Sequence, residues 1–328
     1  MPEKFKWGII GPGRIAQKFA DTVQKIPDGK IHAIASRSSE HLEKLKRDMH
    51  AETAYQSYQE LVKDAEVDAI YIATPHRFHY ENALLCLENG KPALVEKAFT
   101  TNSREAEQLI KTAKNNNLLL MEAMWTRYMP ILQDVKQWIE KGKIGQVQLV
   151  LSTLGFKAKR DPQDRLLNLN LAGGTILDLG VYTLGISQFF FPDYPQSVSA
   201  EGYIGKTGVD ESTSVVLNYG NGKFAQFTCT FLTKPLSRVE VYGSDGTIIL
   251  HPSMVHPPKA TLLKGEREEE IKRLEDETGF EYEIIEAQKC VREGKIESPL
   301  LTHQNSLDIM RMADEIRSQI GLRYPWES

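Results

Sequence analysis

Asp178 and Tyr182 stand four residues apart in GGTILDLGVY, residues 173–182, and Asp178 is the only charged residue from Leu166 to Pro192. On a helix that spacing brings both side chains to one face. A carboxylate in an apolar run is costly unless it has partners or faces a cleft. The plainer alternative is an aspartate that N-caps the helix, worth about 1 kcal/mol, with Tyr182 as a core aromatic. A tyrosine, with a pKa of about 10, exchanges protons near neutrality only beside a cation. Lys97, in Val95-Glu96-Lys97-Ala98, is the candidate cation. Together the three could move the proton of a hydroxyl or carbonyl substrate. Tyr182 would exchange it, Lys97 would supply positive charge and hold the substrate hydroxyl, and Asp178 would orient the substrate or Lys97.

A second constellation lies near the start. GPGRIA, residues 11–16, fits G-x-G-x-x-A. Gly11 would make the tight turn, Gly13 would let backbone approach a pyrophosphate, and Arg14 and Ile15 would open the helix whose N-terminus receives it. Ala16 would allow close helix–strand packing. An ordinary glycine-rich turn is the alternative; the preceding strand and following amphipathic helix favour a dinucleotide site. The second strand then ends Ala35-Ser36-Arg37-Ser38, with no acid at its tip to bind a ribose 2′-hydroxyl. Arg37 and its neighbouring hydroxyls, Ser36 and Ser38, suit a 2′-phosphate, so the expected cofactor is NADP rather than NAD. The same missing acid argues against a methyltransferase.

Three further segments fall at strand ends. ATPHRFH, residues 73–79, brings Thr74, Pro75 and His79 to the carboxyl edge where open α/β folds bind ligands, and these are assigned to the cofactor with Glu96 and Lys97. His76 and His79 have HxxH spacing without a carboxylate or cysteine partner, which reads as a surface helix start; no metal is expected. MEAMWTRYMP, residues 121–130, reads as a domain junction with exposed Trp125, Arg127 and Tyr128. Tyr219 to Lys223 matches Tyr-x-x-x-Lys of short-chain dehydrogenases, but its middle is Gly-Asn-Gly between strand-like runs, so the pair would not share a helical face.

These groups need elements to hold them. Apolar runs at 5–10, 31–36, 68–73, 92–96 and 118–122 alternate with amphipathic stretches at 13–25, 39–48, 77–88 and 102–116. That is the pattern of a doubly wound parallel sheet covered on both faces. Residues 1–122 are therefore read as a dinucleotide-binding α/β domain of Rossmann type. From about 125 a long helical stretch precedes strand-like runs at 197–204, 213–219, 223–231, 237–243 and 246–251, with turns at Gly220-Asn221-Gly222 and Ser244-Asp245-Gly246. Residues 123–328 are read as an α+β domain on an open, mostly antiparallel sheet. Charge-dense 264–283 reads as a solvated helix and loop.

Composition narrows the partners. Forty Lys and Arg against 44 Asp and Glu give a formal charge of −4, which implies no nucleic acid partner and no anionic membrane. Cys86, Cys229 and Cys290 lie far apart, which favours neither a disulfide framework nor a thiolate metal site. The N-terminus runs straight into a strand pattern, so no signal peptide is expected. The apolar stretch around Asp178 reads as a buried core helix rather than a membrane span. A cytoplasmic location is expected.

The ordered set GxGxxA, ATPxxxH, EK and GGxxxDxGxY resembles the glucose–fructose oxidoreductase/inositol dehydrogenase/MocA family over essentially the whole chain. Within it, EAMWTRYMP and DLGVY resemble the dimeric dihydrodiol dehydrogenase branch, also associated with NADP-dependent oxidation of D-xylose. The resemblance implies a Rossmann domain, a substrate domain on an open sheet, and a homodimer or homotetramer formed through that sheet's outer face. It carries the family lysine onto Lys97, the aspartate onto Asp178 and the acid/base onto Tyr182, and puts Trp125 and Arg127 near the pocket wall. The substrate it implies is a small polyol, sugar or diol. The sequence departs at Ala98, where the family has proline, and at Leu154, where many relatives have an aromatic; Phe156 lies close by. A non-catalytic NADP(H) sensor is the rival, against which the joint presence of Lys97, Asp178 and Tyr182 argues.

Overall fold

The computed structural model describes residues 3–37, 41–273 and 278–327; Ser38 lies outside them. Six parallel strands form the first sheet: β1 (Phe5–Ile10), β2 (Gly29–Ala35), β3 (Thr53–Tyr55), β4 (Ala69–Ile72), β5 (Ala93–Glu96) and β6 (Leu120–Ala123). Their spatial order is β3-β2-β1-β4-β5-β6, the doubly wound arrangement expected from the alternating pattern. Helices α1 (Arg14–Val23), α2 (Leu42–Asp48), α3 (Tyr58–Leu61), α4 (His79–Glu88) and α5 (Ser103–Asn116) make the crossovers. Every residue of β4, β5 and β6 is buried, because helices cover both faces and leave no polar side to alternate. Trp7, Phe19 and Tyr71 form the aromatic centre, with the Phe19 and Tyr71 rings stacked 3.8 Å apart.

The second sheet has eight strands. Helix α6 (Pro130–Glu140) leads into β7 (Val147–Gly155); helix α7 (Val181–Phe190) follows, then β8 (Ser197–Ile204), β9 (Asp210–Gly220), β10 (Lys223–Thr230), β11 (Val239–Gly243), β12 (Thr247–Leu250), β13 (Lys259–Lys264) and β14 (Arg267–Lys272). The order is β14-β13-β12-β11-β7-β10-β9-β8, antiparallel except for the parallel β7/β10 pair. Strand β7 is absent from the expected set, yet it sits between β11 and β10 at the sheet's centre. Tyr219 and Lys223 flank a Gly-Asn-Gly hairpin turn with positive φ at all three residues, so no helix joins them.

The reading of 264–283 as helix and loop is corrected. Lys264 ends β13 and Arg267–Lys272 pairs back on it as the edge strand. Dense charge marks a solvated surface of either kind, and an edge strand carries charge to prevent pairing with other chains. Cross-strand pairing of Lys259 with Glu270 adds to this. Residues 274–277 lie outside the described residues; helix α8 (Phe280–Arg292) begins after them, and α9 (His303–Ile320) closes the chain.

Contacts divide the chain into two compact units: residues to Trp125 with Thr278–Leu307, and Thr126–Glu277 with Asp308–Ser328. A boundary at 122/123 thus falls just short of the observed break, and it omits the return of α8 to the first unit. That return has specific anchors. Arg292 pairs with Asp28, His303 Nε2 lies 2.9 Å from the Leu120 carbonyl, and the Ser306 hydroxyl donates to Glu122 at 2.6 Å.

Candidate functional site

In the first unit the glycine turn follows β1 directly. Gly11 has φ +81°, and a Cβ there would lie 2.7 Å from the Thr74 methyl, so both conformation and space demand glycine. Gly13 is the N-cap of α1 and offers no side-chain cap, which leaves the first N–H groups of the helix for a ligand. A Cβ at Gly13 would meet no atom nearer than 4.0 Å, so the cradle is open where a pyrophosphate would lie. Arg14 and Ile15 start the helix, and its first turn holds no acid to repel phosphate. These residues fit a dinucleotide.

Thr74 and Pro75 follow β4 as expected. His76 and His79 depart from the surface reading, since both are buried. The His79 ring nitrogens lie 2.7 Å from the Ala98 carbonyl and 2.8 Å from the Thr74 carbonyl. His79 therefore ties the loop after β4 to the loop after β5 and holds Thr74 in place; Asn82 adds a 3.2 Å bond to the Thr74 hydroxyl. Glu96 is buried and accepts from the Tyr71 hydroxyl, while the Lys97 N–H donates to its other oxygen at 3.2 Å. Lys97 is half-buried at the end of β5, and its peptide bond to Ala98 is cis.

At the tip of β2, the Ser36 N–H bonds the Tyr55 carbonyl, and Arg37 is exposed with its guanidinium over the Phe78 and Tyr58 rings. Trp125 is buried, against the exposed reading, beside Phe280 with ring centroids 5.0 Å apart. The Lys18 ammonium lies over both rings, and burial pulls its pKa down. Glu283, one turn into α8, has no exposed surface, and neither carboxyl oxygen has a hydrogen-bond partner among the described residues. Burial first, then the charge of Glu96, pushes its pKa well up.

The second unit builds its own half around residues 173–182. Both glycines are required. A Cβ at Gly173 would lie 2.7 Å from the Arg165 and Leu166 carbonyls; Gly174 has φ +122°, and a Cβ there would strike Asp210 Oδ1 at 2.1 Å. The fully buried Asp210 reaches over from β9 and accepts from the Thr175 hydroxyl, the Ile176 N–H at 3.0 Å and the Thr213 hydroxyl at 2.9 Å. It holds the entry to a π-helical turn, Ile176–Gly180, which carries Asp178 and runs straight into α7. Such wide turns recur at functional sites.

Asp178 is no N-cap: Gly180 occupies that position, and the Arg165 guanidinium donates to Asp178 Oδ1 at 2.9 Å. The carboxylate is buried while Arg165 is 44% exposed, so the ion pair lies at an opening to solvent. Tyr182 is the second residue of α7 and 8% exposed. Arg127, also buried, donates to the Gly185 carbonyl at 3.0 Å and lies over the Phe189 ring, bracing α7. Trp125 and Arg127 thus fall on opposite sides of the break between units. Leu154 is buried on β7, and Phe156 packs on Phe231 with centroids 5.3 Å apart.

Arg165, Asp210, Lys18 and Phe280 were not singled out in the sequence. Arg165 alone left a usable signal, as the last cation before the apolar run. Among the described residues no group of three or more His, Cys, Asp or Glu side chains is placed to hold a metal.

The Gfo/Idh/MocA model described as an oxidoreductase family with an NAD-binding Rossmann fold matches residues 5–124, and the family's C-terminal domain model matches 132–249. The chain is 32% identical over 330 residues to a trans-1,2-dihydrobenzene-1,2-diol dehydrogenase of Xenopus tropicalis, covering 98% of this chain and 99% of the relative. It is 33% identical over 372 residues to a D-xylose 1-dehydrogenase (NADP(+)) of Hypocrea jecorina, covering 99% and 94%. The fold matches that of a 3-ketoreductase of Actinomadura kijaniata crystallised with NADP, at TM-score 0.87 and 23% identity over 97% of this chain and 98% of that one.

Proposed function

The chain belongs to the Gfo/Idh/MocA oxidoreductase family, and from that premise we propose that it is an NADP-dependent dehydrogenase acting on a secondary alcohol of a sugar or cyclic trans-diol. Asp178 in its π-helical turn, paired with Arg165 and one turn before Tyr182, is the observation that carries the chemical part. Full-length similarity to dehydrogenases named for a diol and for D-xylose supports the CH–OH substrate class.

In this proposal Tyr182 takes the proton of the carbinol hydroxyl during oxidation and returns it during reduction. Lys97 supplies the positive charge that makes a phenolate accessible and holds the substrate oxygen. Asp178, paired with Arg165, accepts a hydrogen bond from a substrate hydroxyl and fixes which carbinol carbon is presented. Gly11, Gly13, Arg14, Ile15, Thr74 and Pro75 would hold the dinucleotide, with Arg37 and Ser36 at its ribose; His79 and Glu96 support the loops that carry Thr74 and Lys97. Bound there, the nicotinamide supplies the hydride acceptor or donor.

The outer face of the second sheet supports self-association. It carries a concavity of about 930 Å³ lined by Leu151, Val216 and Leu236, with Leu236 70% exposed. A homodimer or homotetramer through this face, in the cytoplasm, completes the proposal.

Turnover of two variants tests the chemical assignment. Tyr182→Phe and Lys97→Ala should each lower kcat about a hundredfold or more with an unchanged melting transition. Wild-type turnover in either would remove that residue from the mechanism.

A further inference from the structure

Arg37 is held in an unusual way for an exposed cation. Among the described residues it makes no hydrogen bond and no ion pair; its guanidinium carbon instead lies 5.1 Å from the Phe78 ring centre and 5.8 Å from that of Tyr58. Both distances fall within the range where a ring face attracts a cation. Contacts with ring faces restrain the plane of a guanidinium while using none of its five N–H donors.

The two rings come from elements that are themselves fixed. Tyr58 is the first residue of α3, whose N-cap Ser57 accepts from the Gln59 N–H at 3.2 Å. Phe78 ends the 3-10 turn His76–Phe78, its N–H bonded to the Pro75 carbonyl at 2.9 Å, next to the locked His79. The tip of β2 therefore borrows order from the segments after β3 and β4. Arg37 and Tyr58 also line one pocket of about 540 Å³ beside α4.

We propose that Phe78 and Tyr58 are specificity-determining positioning residues, which hold the Arg37 guanidinium so that its N–H groups stay available to a phosphate monoester on the ribose of the dinucleotide. This rests on the reading that Arg37 receives a 2′-phosphate, and it adds that a lone arginine would discriminate poorly without the two rings. An arginine free to rotate loses more conformational entropy on binding than one already restrained.

Calorimetric titration of the full chain with adenosine 2′,5′-bisphosphate and with adenosine 5′-monophosphate tests this without turnover. Phe78→Leu and Tyr58→Leu should each weaken the bisphosphate about two- to fivefold, and the double variant about tenfold, with the monophosphate unchanged. Tyr58→Phe should bind as wild type, since the Tyr58 hydroxyl has no hydrogen bond among the described residues. Equal weakening of both probes, or no weakening of either, in variants that melt like wild type would overturn the proposal; Tyr58→Leu serves should Phe78→Leu fail to fold. Arg37→Ala separates the two levels. If it leaves bisphosphate affinity intact, the 2′-phosphate reading itself fails; if it alone is selective, only the role of the rings fails.

Discussion

Around its glycine turn the first unit leaves the start of α1 without a side-chain cap, whereas around residues 173–182 the second binds its own groups to one another. Around the glycine turn, α1 starts uncapped, Gly13 faces open space and Arg37 has no anionic partner among the described residues. Around residues 173–182, Asp210 accepts from the Ile176 N–H and two threonine hydroxyls, Asp178 holds Arg165, and Arg127 is bonded into α7. On the proposed function, the uncapped N-terminus of α1 keeps its N–H groups for the cofactor phosphates. On the same proposal, a unit that sets one carboxylate and one phenol against a small substrate gains from holding them beforehand.

That contrast can be broken from either side. The largest effect is expected at the open cradle. Gly13→Val should weaken dinucleotide binding about a thousandfold or more, measured by fluorescence titration, because the side chain fills the phosphate position. Its φ of −95° tolerates any L residue and no neighbour is near, so the melting temperature should hold. Tight binding in this variant would show that the cradle is not the phosphate site.

Next comes the buried brace. Asp210→Ala strands the Ile176 N–H and two threonine hydroxyls in the interior, which should cost about 3 kcal/mol in denaturant unfolding. A loss no greater than that of a surface substitution would mean the π-helical turn needs no such anchor.

The smallest effect sharpens the comparison inside the first unit, at its one described carboxylate lacking any hydrogen bond on either buried oxygen. The raised pKa of Glu283 means the native state keeps a proton that the unfolded chain releases. Stability from this group is whole below the ordinary carboxylate value and falls as pH rises through the raised one. Glu283→Gln cannot lose that proton, so it should melt above wild type at pH 8 and converge with it near pH 4. A constant difference across that range would place the carboxyl in contact with water.

The sequence revealed the two units unequally, for physical reasons. Buried parallel strands and a glycine turn are local signals, so β1, β2, β4 and β5 and the cradle could be read within a residue or two. Strand β7 was missed although Gly142 and Gly145, both at positive φ, mark the turn between α6 and it, and β14 because an edge strand and a helix show the same charged surface. Asp178 and Tyr182 could be named from spacing and family likeness, yet Asp210, thirty-two residues beyond Asp178, reaches the site only through the pairing of β9. The return of α8 was likewise invisible, since Phe280 and Glu283 meet Lys18 and Trp125 only after the chain has traversed a whole second sheet.

We propose that the first unit selects a 2′-phosphorylated dinucleotide and that the chain oxidises a carbinol with it. The most direct test of this proposal is formation of reduced nicotinamide by the wild-type chain with NADP⁺ and with NAD⁺, across a panel of aldoses and cyclic trans-diols. Turnover of at least one member is expected, faster with NADP⁺ at equal subsaturating cofactor concentrations. No turnover of any member despite tight cofactor binding would contradict it, and would point to a sensor in place of an enzyme.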